Sequence, residues 1–215
     1  MNLGAKTVLS RDSIHLVERE KTVHVISEEY YYKTESYYTI LSHEMRNIPV
    51  APGSSAVLDA YVVPLCLERA RLNGIPVADC IISHSCAQYP AVLYGLNYFA
   101  SSSEYKMVKD GASGKETIRH ITNNGKYPFC YQPLSDGENV ERHVSIFGKS
   151  YSGDEDVEDL ARSLYNVFRI PLVTMVCIRG DENLLLSSLA PTRYSSMSNT
   201  EKSLLREYIA QQEFL

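Results

Sequence analysis

Four tyrosines, Tyr30, Tyr32, Tyr37 and Tyr38, flank Thr34 and Ser36 in one short stretch. A tyrosine offers an apolar ring and a hydroxyl that seeks a partner when buried. Several hydroxyls at a strand-to-helix turn can therefore hold a polar ligand. In an open α/β sheet, ligands bind at such turns, beyond the carboxyl ends of the strands. If Ser36 caps the following helix, the helix's first N–H groups can hold an anion. Glu44 and Arg46 follow on the same helix and would suit the two charges of an amino acid, or each other. Core packing with a solvated rim is the ordinary alternative for all eight residues.

Other chemistry is poorly served. Asp110-Gly111-Ala112-Ser113-Gly114-Lys115-Glu116-Thr117 looks like a phosphate loop, but only two residues separate its glycines and Glu116 follows the lysine. A phosphate loop needs four residues between the glycines, then Lys and Ser or Thr. The stretch therefore reads as a polar loop. Cys80, His84 and Cys86, with Cys66, are soft ligands, but five residues lie between Cys80 and Cys86. Zinc sites favour pairs two to four residues apart. No nucleophile–base arrangement stands out, so no catalytic and no metal-binding residue is expected.

The elements that would position the tyrosines begin with Thr22–Ile26, whose β-branched alternation predicts a strand. Tyr37, Leu41 and Met45 share a helical face, which predicts a helix over 36–46, ended by Pro49 and Pro52. A second helix is expected over 54–73, where Pro64 either kinks it or marks the first turn of a shorter one. Ala78–Ser83 reads as a buried strand, and 105–108 and 117–121 as short strands. Asn123-Asn124-Gly125 is a hairpin signal. Beyond it come a strand over 144–147, a helix opened by Asp154, Glu155 and Asp156, strands over 172–178 and 184–189 joined by a turn at 180–183, and a last helix starting from the capping box Ser198–Glu201. The order predicts an α/β fold: a Rossmann-like N-terminal βα part, then a mixed α+β second half with helices packed on a sheet.

The 215 residues suffice for one domain, and 44% hydrophobic content can supply its core. A net charge of −5 argues against nucleic acid as partner, although it leaves room for a local basic patch. No apolar run reaches membrane-spanning length, and 1–11 contains no signal-like stretch, so a cytoplasmic protein is expected. Five irregularly spaced cysteines fit reduced thiols there. There are 16 tyrosines and no tryptophan, which also suits an oligomer interface.

Two segments carry a family resemblance. The run from Tyr30 to Tyr38, continued by Leu41, Glu44, Arg46, Val50 and Pro52, is similar to a segment of the N-terminal domain of RimK-like ATP-grasp ligases, with Thr34 for a serine and Ser36 for a glycine. Ile146-Phe147-Gly148, then Leu160-Ala161-Arg162-Ser163-Leu164-Tyr165, Phe168 and Pro171-Leu172, resembles a later segment of the same domain. Residues 54–139 match nothing in it. The resemblance implies a single accessory domain over 1–215 without the ATP-grasp catalytic module. ATP and Mg²⁺ would then belong to a separate catalytic chain, which makes an acyl phosphate for an amine to attack.

On this reading the protein is a noncatalytic accessory or substrate-binding domain. Its partners would be a separately encoded ATP-grasp protein or an amino-acid or peptide ligand, met at Tyr30, Tyr32, Thr34, Ser36, Tyr37, Tyr38, Glu44 and Arg46. Two other classes stay open: a self-assembling structural or regulatory protein with a tyrosine-rich interface, and a small enzyme of its own.

Overall fold

A computed structural model describes residues 8–97, 104–181 and 183–211. In chain order the elements are β1 (His15–Arg19), β2 (Thr22–Ile26), α1 (Glu35–Met45), β3 (Val50–Ala51), α2 (Ser54–Ala60), α3 (Val63–Leu72), β4 (Ile81–Ser83), β5 (Ala91–Gly95), β6 (Lys106–Val108), α4 (Gly111–Ile121), β7 (Phe129–Pro133), β8 (Asn139–Ile146), α5 (Glu155–Phe168), β9 (Leu172–Arg179), β10 (Leu184–Ala190) and α6 (Asn199–Ala210). The fold is mixed α/β, as expected. Its sheets have the orders β1-β2-β3, β4-β7-β5-β6 and β10-β9-β8. No helix among the described residues is long and apolar enough to cross a membrane. Most of the 1–11 stretch lies outside the described residues, as does Glu182 in the 180–183 turn.

The chain gathers into two compact units. The first comprises 1–58, 144–173 and 191–215, the second 59–143 and 174–190. Nearly all of the stretch that resembled nothing falls in the second.

In the first unit β2, α1 and β3 form a parallel βαβ unit, Val23 opposite Val50 and His24 opposite Ala51. This is the Rossmann-like part read from the sequence. β1 joins it by an antiparallel hairpin whose two turn residues, Glu20 and Lys21, both have positive φ, 49° and 63°. That is the type I′ geometry that matches strand twist. α5 begins at Asp154, whose carboxylate accepts the N–H of Asp156 at 3.0 Å, and it buries Val157, Leu160, Ala161, Leu164 and Phe168. α6 begins with the predicted capping box: Ser198 accepts from Glu201 N–H at 3.2 Å, and Glu201 accepts from Ser198 N–H at 2.6 Å. Val17, Ile26, Ile146, Leu172, Tyr194, Met197, Leu205 and Ile209 make the core. Each such side chain contributes about 1.5–3 kcal/mol when fully buried.

In the second unit the sheet β4-β7-β5-β6 is antiparallel throughout. Ala91, Leu93, Val108, Ile118, Phe129 and Tyr131 form its core, with Ile118 supplied by α4. Here the structure corrects several expectations. Residues 110–115 are not a loop, nor 117–121 a strand. Asp110 caps α4 by accepting the N–H of Ala112 and Ser113 at 3.0 and 2.9 Å. The polar turn-like composition is a helix start, because an Asp that favours turns also favours N-caps. Asn123, Asn124 and Gly125 do adopt positive φ, 50°, 59° and 81°, but as the exit from α4 rather than a hairpin. Of the two roles open to Pro64 the second holds: 54–73 is two helices, with Pro64 in the first turn of α3, where its missing N–H costs nothing. The strand over 78–83 shortens to β4, with Ile81 and Ile82 exposed rather than buried. Ala78 instead donates to Leu186 O at 2.9 Å.

A candidate binding site at the turn after β2

The chain leaves β2 through residues 27–34 and enters α1. Tyr30 fixes the start of that turn. Its ring is fully buried, and its hydroxyl accepts from Ser27 N–H and donates to Val25 O, both at 3.0 Å. Burial pushes its pKa far up, so it stays neutral. Thr34, not Ser36, caps α1, accepting from Tyr37 N–H at 3.3 Å. The cap thus lies two residues earlier than expected, on a hydroxyl of the same chemistry. Ser36 is buried and donates to Glu29 O, tying the far side of the turn. Tyr37 is buried, whereas Tyr32 and Tyr38 are about half exposed (49% and 59%). Glu44 accepts from Ser54 N–H at 2.8 Å and so anchors the first turn of α2. Arg46 follows α1 as its exposed C-cap residue. The eight residues therefore divide. Tyr30, Thr34, Ser36, Tyr37 and Glu44 are occupied in shaping the turn and its helices, and Tyr32, Tyr38 and Arg46 face solvent.

The turn nevertheless borders a cavity. At the carboxyl end of β2, Glu28 lines a space of about 510 Å³ together with Arg11, Arg193, Tyr194, Lys202 and Arg206. Glu28 is 5% exposed, and one of its oxygens accepts the backbone N–H of Tyr194. Tyr194 is itself buried, and burial, with Glu28 nearby, pushes its hydroxyl up to about 12. The placement follows the general rule for α/β sheets; its residues went unnoticed in the sequence. Arg193, Lys202 and Arg206 come from more than 160 residues further on, and only the spacing of Lys202 and Arg206 by one helical turn hinted at a shared face.

A second cluster in this unit surrounds Phe147. Phe147 and Gly148 form a tight turn with φ of 50° and 76°, closed by Lys149 N–H to Ile146 O at 3.0 Å. The Phe147 ring stacks on Tyr208 at 4.9 Å and meets the edge of His24 at 5.4 Å. Arg19 lies over both Phe147 and Tyr208. His24 is buried with no hydrogen-bond partner for Nδ1, and burial, then Arg169 and Arg19, lower its pKa to about 4.

In the second unit, the buried polar groups form a neutral network. The Tyr94 hydroxyl lies 2.6 Å from Ser187 Oγ and accepts from Ser188 at 3.2 Å, and Gln132 Nε2 donates to Ser187 O at 2.8 Å. Among the described residues, no three His, Cys, Asp or Glu side chains come together as a metal ion would need. Cys80, His84 and Cys86 are accordingly not gathered into a ligand set.

No family model and no curated protein sequence matches the chain. Solved structures do. A RimK domain ATP-grasp protein from Sphaerobacter thermophilus superposes with a TM-score of 0.57 at 13% identity, over 80% of this chain and 77% of that one. The ATP-grasp ligase PsnB, complexed with its minimal precursor, gives 0.55 at 14% identity over 92% and 85%. D-alanine–D-alanine ligase from Bacillus anthracis, complexed with ATP, gives 0.57 at 12% over 81% and 73%. The likeness spans most of each ligase, which corrects the expectation of an N-terminal accessory domain alone. The chain has the fold of the ATP-grasp ligases.

Proposed function

We propose that the protein serves ATP-dependent carboxylate–amine ligation as a binding module, holding an amino-acid or peptide ligand at the turn after β2 or docking there on a separately encoded ATP-grasp chain. The fold likeness to ATP-grasp ligases carries the ligase connection. The binding role draws support from Tyr32 and Tyr38, which present half-exposed rings at the turn after β2. ATP and Mg²⁺ belong, on this proposal, to the partner, with both chains in the cytoplasm.

A second reading makes the chain a ligase in its own right, and the length over which it follows the ligases favours it. One experiment separates the two. The purified chain is incubated with ATP, Mg²⁺ and a panel of amino acids and peptides, and ADP is measured, alone and with whatever the tagged chain retains from its native lysate. The binding-module reading expects no Mg²⁺-dependent ADP release alone, and recovery of an ATP-grasp protein that restores it. ADP release by the chain alone overturns that reading in favour of the second. Recovery of the chain only with itself, with a mass that grows with concentration, would overturn both and leave self-assembly.

A further inference from the structure

The charge of the cavity at Glu28 is out of keeping with the chain around it. The protein carries a net charge of −5, yet Arg11, Arg193, Lys202 and Arg206 line one cavity against a single carboxylate. That carboxylate is already engaged by Tyr194 N–H. Lys202 and Arg206 lie one turn apart on α6, where like charges oppose each other by about 0.2–0.5 kcal/mol. Glu201, beside Lys202 in sequence, is committed to the Ser198 N–H. Among the described residues, Arg11, Arg193 and Lys202 enter no salt bridge.

Arg11, Arg193 and Lys202, without ion-pair partners among the described residues, keep the cavity positively charged until an anion enters. Arginine presents a planar fork that grips carboxylate and phosphate oxygens in pairs, and lysine adds a compact point charge. The positive charge exceeds what one singly charged oxyanion would neutralise. The volume lies in the range of small-molecule sites, so a charged head group would leave room for the rest of its molecule. Tyr194, buried and neutral, gives the wall an aromatic side.

We propose that this cavity binds a ligand bearing a multiply charged oxyanion, either a phosphate ester or a polycarboxylate. The inference rests on the charge and shape of the cavity, not on the ligase reading, and it stands or falls separately from any ADP assay.

The test is titration calorimetry of the full chain with pyrophosphate, and separately with citrate, without Mg²⁺ and at matched ionic strength. Saturable binding of either probe is expected, weakened about tenfold or more by Arg193→Ala and by Lys202→Glu, and unchanged by Arg162→Ala, whose exposed side chain pairs with Asp159 on α5 and does not line the cavity. Lys202→Glu places an acid in the first turn of α6, where the helix dipole favours it, so this variant keeps its fold if Arg193→Ala does not. Tighter binding of pyrophosphate assigns a phosphate ligand, and tighter binding of citrate a carboxylate. No saturable heat from either probe at millimolar concentration, or binding that both variants leave unchanged, overturns the proposal.

Discussion

The guanidinium of Arg19 lies 4.6 Å from the centre of the Tyr208 ring, and the same group donates to the Tyr208 backbone oxygen at 2.8 Å. One side chain thus ties β1 to α6 by stacking and by a charge-assisted hydrogen bond. Arg19→Ala is expected to lower stability by about 1–3 kcal/mol in urea denaturation. Arg19→Lys should recover only part of it, because an ammonium cannot stack on Phe147 and Tyr208 as a planar guanidinium does. Full recovery by lysine would show that charge alone matters there.

His24 should make the protein acid-sensitive. Its unfolded pKa is about 6.5 and its folded value about 4, lowered by burial and then by Arg169 and Arg19. Between these values the unfolded chain binds more protons than the folded one. Its contribution is therefore complete above about pH 6.5 and is lost as the pH falls toward 4, by at most about 3 kcal/mol. Urea midpoints of the wild type and His24→Phe, compared near pH 7 and pH 5, check this. The difference between the two proteins should shift in favour of phenylalanine at the lower pH.

Tyr94 is expected to matter through its oxygen. Tyr94→Phe keeps the ring but leaves Ser187 and Ser188 with a missing partner in a site without solvent. A loss of about 1–2 kcal/mol should follow. Thermal unfolding would show it, and an unchanged midpoint would mean that the serines find other partners.

Gly148 and Gly153 offer a matched pair. Both have positive φ, 76° and 73°, so alanine carries left-handed strain of about 1–2 kcal/mol at either. At Gly148 an added Cβ would also lie 2.8 Å from the Tyr165 Cβ, while at Gly153 it would meet nothing within 4 Å. Gly148→Ala should therefore be the more damaging in a denaturation series, and the difference measures the packing contact alone.

The tyrosine turn predicts a split between stability and binding. Tyr38 is exposed, so Tyr38→Ala should change stability by no more than about 0.5 kcal/mol. Tyr30→Phe removes a buried hydroxyl with two backbone partners and should cost about 1–2 kcal/mol. If Tyr38 meets a ligand or partner, Tyr38→Ala weakens capture of that partner at unchanged unfolding midpoint.

Much of the first unit could be read from residues because its signals are local. The apolar stripe of α5, its Asp154 cap, the Ser198–Glu201 box and the alternation of β2 each specify their element within a few positions. β1 escaped notice because its turn uses Glu20 and Lys21 at positive φ, where Asn-Gly would have announced a hairpin. α4 escaped because Asp110, Gly111, Ser113 and Gly114 resemble a loop, and its helical identity comes from Ile118 packing on a sheet that 91–95 and 129–133 build. The place of the candidate site was legible as the turn beyond β2. Its charged lining was not, because Arg11, Glu28, Arg193, Lys202 and Arg206 meet only through the fold.

The cysteines turn the division of the chain into something that can be timed. Cys66, Cys80, Cys86, Cys130 and Cys177 all belong to the second unit, and the first has none. Cys86 is exposed, whereas burial pushes Cys66 and Cys177 up to about 12, so neither presents a thiolate while the structure is closed. A thiol reagent added to the native protein therefore labels Cys86 at once and the buried sulfurs only when their surroundings open. The slow phase is a clock for the opening of one unit, and it runs in silence with respect to the other.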